Sequence, residues 1–291
     1  MFLRVYLKVV SIAVLASFAI TTLEAQKKEK PYLALGDSVP FGFIPPPPIT
    51  TVPEGDLAQY HGYPQFVAAG LSLNLANASC VGETSSSFLK VGAPDLGCEL
   101  WRANLPMFVT YSGPMESQMD FAVAYLRANP KTQLVTITIG GNDLGLLQAN
   151  CTTPNASATD IQKCMLAGAP AVYAKFSTNL LEIYSSIRNT AHYQGQIVAV
   201  NYSSLNYSDP FITGLLATLD AIMQGITGAF GGQVADVFLA FQAASVPGGG
   251  YPCAPNVGLA YIQSTNPLTC NPHPTTAGHQ LISKLVLDLV H

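Results

Sequence analysis

Four short fragments of this chain carry residues whose types could perform acyl transfer. Ser38 ends the apolar run of "YLALGDSVPFGF" (Tyr32–Phe43) and is a candidate nucleophile. "NASCVGETS" contains Gly82, "TIGGNDL" contains Asn142, and "NPHPTTAGHQLIS" contains His273. Acyl transfer needs a nucleophile, a base to take its proton, and donors for the oxyanion that forms on the carbonyl. Ser38, His273 and the Gly82/Asn142 pair match those three needs. Asp37 and Asp143, beside Ser38 and Asn142, are read as structural hydrogen-bond acceptors rather than as acids or bases. His61, His192 and His279 have no supporting context.

These residues are useful only if the fold gathers them. Short apolar runs predict buried strands over Tyr32–Leu35, Leu73–Ala76, Leu134–Ile139, Ile197–Val200 and Val234–Phe238. Between them lie helical stripes. Met115, Met119, Val123 and Leu126 share one face, with the helix stopping before Asn129-Pro130. Val172, Phe176, Leu180, Ile183 and Ile187 make a second stripe. Asp209-Pro210 reads as an N-cap followed by a first-turn proline, opening a helix towards Phe230. Thr275 or Thr276 caps the last helix. Alternating strands and helices predict a doubly wound parallel sheet, whose ligands bind beyond the carboxyl ends of the strands. Three of the four fragments follow predicted strands there, and the fourth precedes the last helix. Ile44–Tyr63, Gly82–Gly113 and Val246–Asn271 are predicted loops. Trp101, Phe108 and Tyr111 are either lining for an acyl pocket or core aromatics.

Taken together, the four fragments resemble the GDSL family of the SGNH hydrolases, in an order that spans nearly the whole chain after residue 25. "YHGYPQFVAAGLSLNLANASCVGETS" also looks like secreted bacterial members. The resemblance implies a three-layer α/β/α fold with a flavodoxin-like parallel sheet, the SGNH hydrolase fold, and hydrolysis of carboxylic esters by a serine esterase or lipase. It assigns Ser38 as nucleophile and His273 as base. The Ser38 N–H, the Gly82 N–H and the Asn142 side chain become the oxyanion donors. The nucleophile elbow Gly-x-Ser-x-Gly of other lipases is absent.

One position departs from the family. An Asp usually stands three, sometimes two, residues before the catalytic His, and Cys270 and Asn271 occupy those places here. That loop therefore offers no carboxylate to orient His273. Three arrangements are open: a backbone carbonyl holds the imidazole, an Asp from another loop such as Asp209 does, or the chain is a weak enzyme or a non-catalytic binding protein. An active dyad-like arrangement is preferred, because Ser38, Gly82, Asn142 and His273 are all present.

The rest of the sequence sets bounds. The chain has 291 residues, 49% hydrophobic and 10% charged, with a net charge of -4. That suits one large α/β domain and disfavours nucleic acid, whose phosphates call for a basic face. Residues 1–25, with Arg4 and Lys8 before the apolar run Val9–Ile20, read as a signal peptide cut after Ala25. Residues 26–291 form the hydrolase domain, expected to be secreted or periplasmic, with no stable membrane span after cleavage. Six Cys in an exported chain imply three disulfides, and neighbouring pairs are favoured: Cys80–Cys98, Cys151–Cys164 and Cys253–Cys270. No metal site or organic cofactor is implied. The expected substrate is a small-molecule, lipid or carbohydrate ester, and the oligomeric state is open.

Overall fold

The computed structural model describes residues 29–46, 50 and 55–290, so the expected signal peptide lies outside the described residues. The chain begins with strand β1 (Lys30–Gly36) and the single turn α1 (Ser38–Phe41). Helix α2 (Tyr63–Leu71) leads into β2 (Leu73–Asn77), followed by short helices α3 (Ser85–Leu89) and α4 (Cys98–Asn104). Then come α5 (Gln118–Ala128), β3 (Leu134–Thr138), α6 (Gly141–Cys151) and α7 (Ala158–Ser185), which widens into a π-turn at Ser186–Thr190. Strand β4 (Gln196–Val200), α8 (Pro210–Ala229), β5 (Gln233–Ala235) and α9 (Val237–Ser245) complete the alternation. A hairpin of β6 (Ala260–Thr265) and β7 (Leu268–Pro274) precedes α10 (Thr276–Leu287).

Strands β1 to β5 pair in parallel in the order β2-β1-β3-β4-β5. Alternate side chains leave opposite faces of a strand, and each face here meets a helical layer. Leu33, Leu35, Val135, Ile137 and Ile197 pack against α5, α7 and α8 through Met119, Phe176, Leu180 and Leu219. Tyr32, Ala34, Leu134 and Val198 pack against α2, α9 and α10 through Val67, Phe241 and Ile282. Burial on both faces is why these strands read as near-continuous apolar runs, interrupted in β3 by Thr136. Each fully buried aliphatic side chain contributes about 1.5–3 kcal/mol, and truncating one such as Ile137 to Ala costs about 2–5 kcal/mol. The three-layer α/β/α architecture is the expected one, and all three neighbouring disulfides are formed.

Several expectations are corrected. Val237 and Phe238 open α9 rather than extending β5, because the Asp236 side chain caps the Leu239 N–H at 3.0 Å. Met115 lies outside α5 and is 75% exposed. That helix starts three residues later, at Gln118, behind a capping box in which Ser117 and Asp120 satisfy each other's backbone N–H. The segments read as loops contain α3, α4 and the β6–β7 hairpin, so His273 rides on a strand. Asn142 stands in the first turn of α6 rather than in a loop.

Candidate active site

Ser38 is delivered by the end of β1. Gly36 there has φ +126°, and a Cβ on it would stand 1.9 Å from the Thr138 carbonyl oxygen, so only glycine lets β1 press against β3 at this point. Gln118 on α5 clamps the same residue: its Oε1 accepts the Gly36 N–H at 2.5 Å and its Nε2 donates to the Gly36 carbonyl at 3.0 Å. Asp37 then caps α1 by accepting the Val39 N–H at 2.9 Å, which puts Ser38 at the first helical position beyond the strand.

His273 arrives from the other end of the chain. Its Nε2 lies 2.9 Å from Ser38 Oγ, across 235 positions of sequence. Its Nδ1 lies 2.6 Å from Asn271 Oδ1, and the same oxygen accepts the His273 backbone N–H at 3.1 Å. Burial, beside the ring of Phe43 at 4.7 Å, pushes the His273 pKa down to about 4. Two of the open arrangements are thereby set aside. Asp209 spends its side chain capping α8, with Oδ1 accepting the Phe211 N–H at 2.9 Å. The imidazole meets the Asn271 side chain instead of a backbone carbonyl. Asn271 stands two residues before His273, where the family carries an Asp at times, and its amide oxygen fills the acceptor's place.

Ser38, Asn142 and His273 line one cavity of about 630 Å³. The order β2-β1-β3 explains their meeting, since Ser38 follows the central strand of those three and Asn142 follows β3. Asn142 Nδ2 donates one hydrogen to the Glu83 carbonyl at 2.8 Å and has a second to offer. Gly82 is not among the residues lining that cavity. Its φ is +84° and a Cβ would stand 2.3 Å from the Leu96 carbonyl oxygen, so glycine permits the close turn that precedes Glu83. Leu96 donates its N–H to the Gly82 carbonyl at 2.8 Å and also borders the cavity.

The carboxylates near Ser38 and Asn142 are acceptors in the framework. Asp37 also accepts from the Tyr202 hydroxyl, and desolvation lifts its pKa to about 7. Asp143 accepts from the Ser85 hydroxyl at 2.5 Å and the Ser85 N–H at 2.9 Å, tying α6 to α3. Glu83 accepts from Ser87 and from Gln118 at 2.9 Å, and burial raises it to about 7. Cys80, Glu83 and Cys98 stand close enough together to suggest a metal, but both sulfurs are spent in a disulfide. Trp101 and Phe108 pack on Phe41 and do not line the cavity at Ser38, while the Tyr111 hydroxyl donates to the Ala78 carbonyl at 2.6 Å.

A serine hydroxyl on an imidazole nitrogen, at the carboxyl edge of a parallel sheet in a three-layer α/β/α fold, defines a hydrolase-like site. The chain belongs to the GDSL-like Lipase/Acylhydrolase family, whose pattern matches residues 34–281. Its fold is similar to the crystal structure of phospholipase A1 from Streptomyces albidoflavus NA297. The TM-score is 0.60 at 20% identity, over 90% of this chain and 100% of that one. It is likewise similar to an extracellular lipase from Streptomyces rimosus, with TM-score 0.59 at 18% identity over 90% and 100% of the two chains. No curated protein matches it in sequence.

Proposed function

We propose that this chain is an exported serine ester hydrolase that works through an acyl-enzyme. The observation that carries the reading is Ser38 Oγ at 2.9 Å from His273 Nε2, with the far side of the imidazole already held. A donor is needed at Nδ1 to face the Asn271 oxygen, so Nε2 carries the lone pair and can accept the Ser38 proton. Ser38 Oγ attacks the ester carbonyl, and His273 passes the proton to the departing alcohol oxygen. Water then gives a proton to His273 as it attacks the acyl carbon, and that proton returns to Ser38 as the acid leaves. The Ser38 N–H, the Gly82 N–H and the second hydrogen of Asn142 Nδ2 are the proposed oxyanion donors.

The cavity indicates the acyl side of the substrate. Leu144, Ile161, Met165, Phe211, Leu215 and Leu216 line its wall from α6, α7 and α8. Its volume of about 630 Å³ falls among small-molecule sites of roughly 300–1,000 Å³. An aliphatic acyl chain is the occupant this wall suits, and esters of medium or longer acids are the proposed substrates. The three disulfides support export to an oxidising compartment. The non-catalytic alternative rested on the lack of a partner for His273, and Asn271 supplies one. Hydrolysis of nitrophenyl esters by the protein and its Ser38→Ala variant, with fluorophosphonate labelling of Ser38, tests the reading. Equal rates in both proteins and no labelling would overturn it.

A further inference from the structure

Resting on that reading, we propose that Asn271 is the positioning residue of the Ser38–His273 pair, and that its neutral tether keeps the enzyme active in acid, where a carboxylate-tethered base is already protonated.

The geometry is built locally. In Asn271-Pro272-His273-Pro274 both Asn271 and His273 precede a proline, which restricts them to extended backbone. Pro272 adds a fixed φ between them. The Asn271 side chain can then fold over Pro272 so that Oδ1 receives both the His273 N–H, at 3.1 Å, and Nδ1–H, at 2.6 Å. The amide has its oxygen on this side because the reverse orientation would set the His273 backbone N–H, which can only donate, against an NH₂ group. Its Nδ2 is engaged elsewhere, donating to Gln263 Oε1 on β6 at 2.8 Å. The hairpin beneath is pinned by the Cys253–Cys270 disulfide, one residue before Asn271. The imidazole is thus held in one tautomer and one orientation, as a carboxylate would hold it, but with no charge.

The missing charge has a consequence for the base. A carboxylate within about 4–6 Å raises the pKa of an imidazole by about 1–3 units. Asn271 adds nothing of that kind, and burial moves His273 down to about 4. The other titratable groups around it do not restore the charge in acid. Asp37, at the β1–α1 junction, has its pKa lifted to about 7 and is neutral below that. His279 on α10 is held neutral by burial. Tyr261 on β6 is an uncharged phenol, its pKa raised by burial. Asp209, across the cavity, is committed to the α8 N-cap. Among the described residues no carboxylate hydrogen-bonds the ring, whose partners are the neutral Asn271 and Ser38 side chains, and the free base therefore persists further into acid.

The test is the pH dependence of kcat/KM for a soluble nitrophenyl ester, read at a wavelength where both forms of nitrophenol absorb equally. It is run on the wild type, Asn271→Asp and Asn271→Ala, each checked for native near-UV circular dichroism. The wild-type acid limb is expected below about pH 5.5. Asn271→Asp keeps the shape and adds the charge, so its limb moves up by one unit or more, a tenfold shift in proton affinity. Asn271→Ala loses the tether, and its kcat falls about tenfold or more while KM stays within about twofold, because Asn271 acts through His273. A residue serving only the hairpin would lower stability without moving the limb. The proposal is overturned by a wild-type limb near pH 6.5, by coincident limbs in wild type and Asn271→Asp, or by an Asn271→Ala kcat within twofold of wild type. Should Asn271→Ala fail to fold, the Asn271→Asp comparison decides alone. Wild-type protein that neither hydrolyses esters nor is labelled at Ser38 would overturn the hydrolase reading itself.

Discussion

Asn142 donates its side-chain amide to the Glu83 carbonyl at 2.8 Å, joining the first turn of α6 to the turn that contains Gly82. One hydrogen orients the group, and the other is the proposed donor to the carbonyl oxygen of a bound ester. Asn142→Ala is therefore expected to lower kcat by about 10²–10³, the usual cost of one oxyanion donor. Steady-state kinetics beside a thermal melt checks this, since a fall in kcat with unchanged melting separates chemistry from folding. Activity within threefold of wild type would remove Asn142 from that role.

The apolar wall of the cavity sets an expectation for acyl length. Each methylene buried there contributes about 0.8 kcal/mol, so kcat/KM should rise roughly fourfold per added carbon until the cavity is full. Ile161→Trp fills part of that wall. Its optimum is expected at a shorter acid, with the longest esters losing most. A series of nitrophenyl esters from acetate to palmitate measures both, and an unchanged optimum would place the acyl chain elsewhere.

His279 on α10 is 3% exposed, and neither ring nitrogen has a hydrogen-bond partner among the described residues. Desolvation pushes its pKa down to about 3, with His273 adding to the effect. The unfolded chain protonates this imidazole near pH 6.5, which the folded chain resists. The folded pKa is the lower one, so stability is lost as pH falls from about 6.5 towards 3. His279→Leu removes both the unpaired ring nitrogens and this loss. Its melting temperature should exceed the wild type at pH 7, and by a margin that widens towards pH 4.5.

Asp220 on α8 has the opposite sign. It is 7% exposed, Oδ1 accepts the Tyr202 N–H at 3.4 Å, and Oδ2 has no partner among the described residues. Desolvation, with a smaller contribution from Asp236, raises its pKa to about 8. The unfolded chain ionises this acid near pH 4, while the folded chain keeps it protonated. Stability is therefore lost as pH rises from about 4 to 8. Asp220→Asn mimics the neutral acid and should raise the melting temperature at pH 8–9 while changing little at pH 4.5. A gain independent of pH would assign the effect to packing instead.

Much of this architecture was legible because its causes are local. Runs such as Leu33-Ala34-Leu35 and Ile197-Val198-Ala199-Val200 are apolar throughout because parallel strands in this sheet are covered on both faces. The Asp209-Pro210 start of α8 and the Thr275 cap of α10 are decided within a few residues. Val237-Phe238 was misread because two apolar residues after a strand look like more strand, and the deciding atom was the Asp236 side chain. The β6–β7 hairpin has no strand signature in the sequence because its strands are mostly half-buried or exposed, have irregular register and carry polar residues. The Gln118 clamp on Gly36 had no signature at all, since it joins groups 82 positions apart.

The sequence by itself determined the fold class, the neighbouring disulfides, the family and the set of residues able to do chemistry. These depend on residue type, local spacing and hydrophobic pattern. Tertiary structure alone decided that Ser38 and His273 meet at 2.9 Å, because the β6–β7 hairpin, outside the five-stranded sheet, packs its β7 strand against α1 beyond the end of β1. It also decided the partner of His273. Whether an asparagine stands in for a carboxylate depends on which way its amide points, and donors on its own strand and an acceptor on the next one settle that.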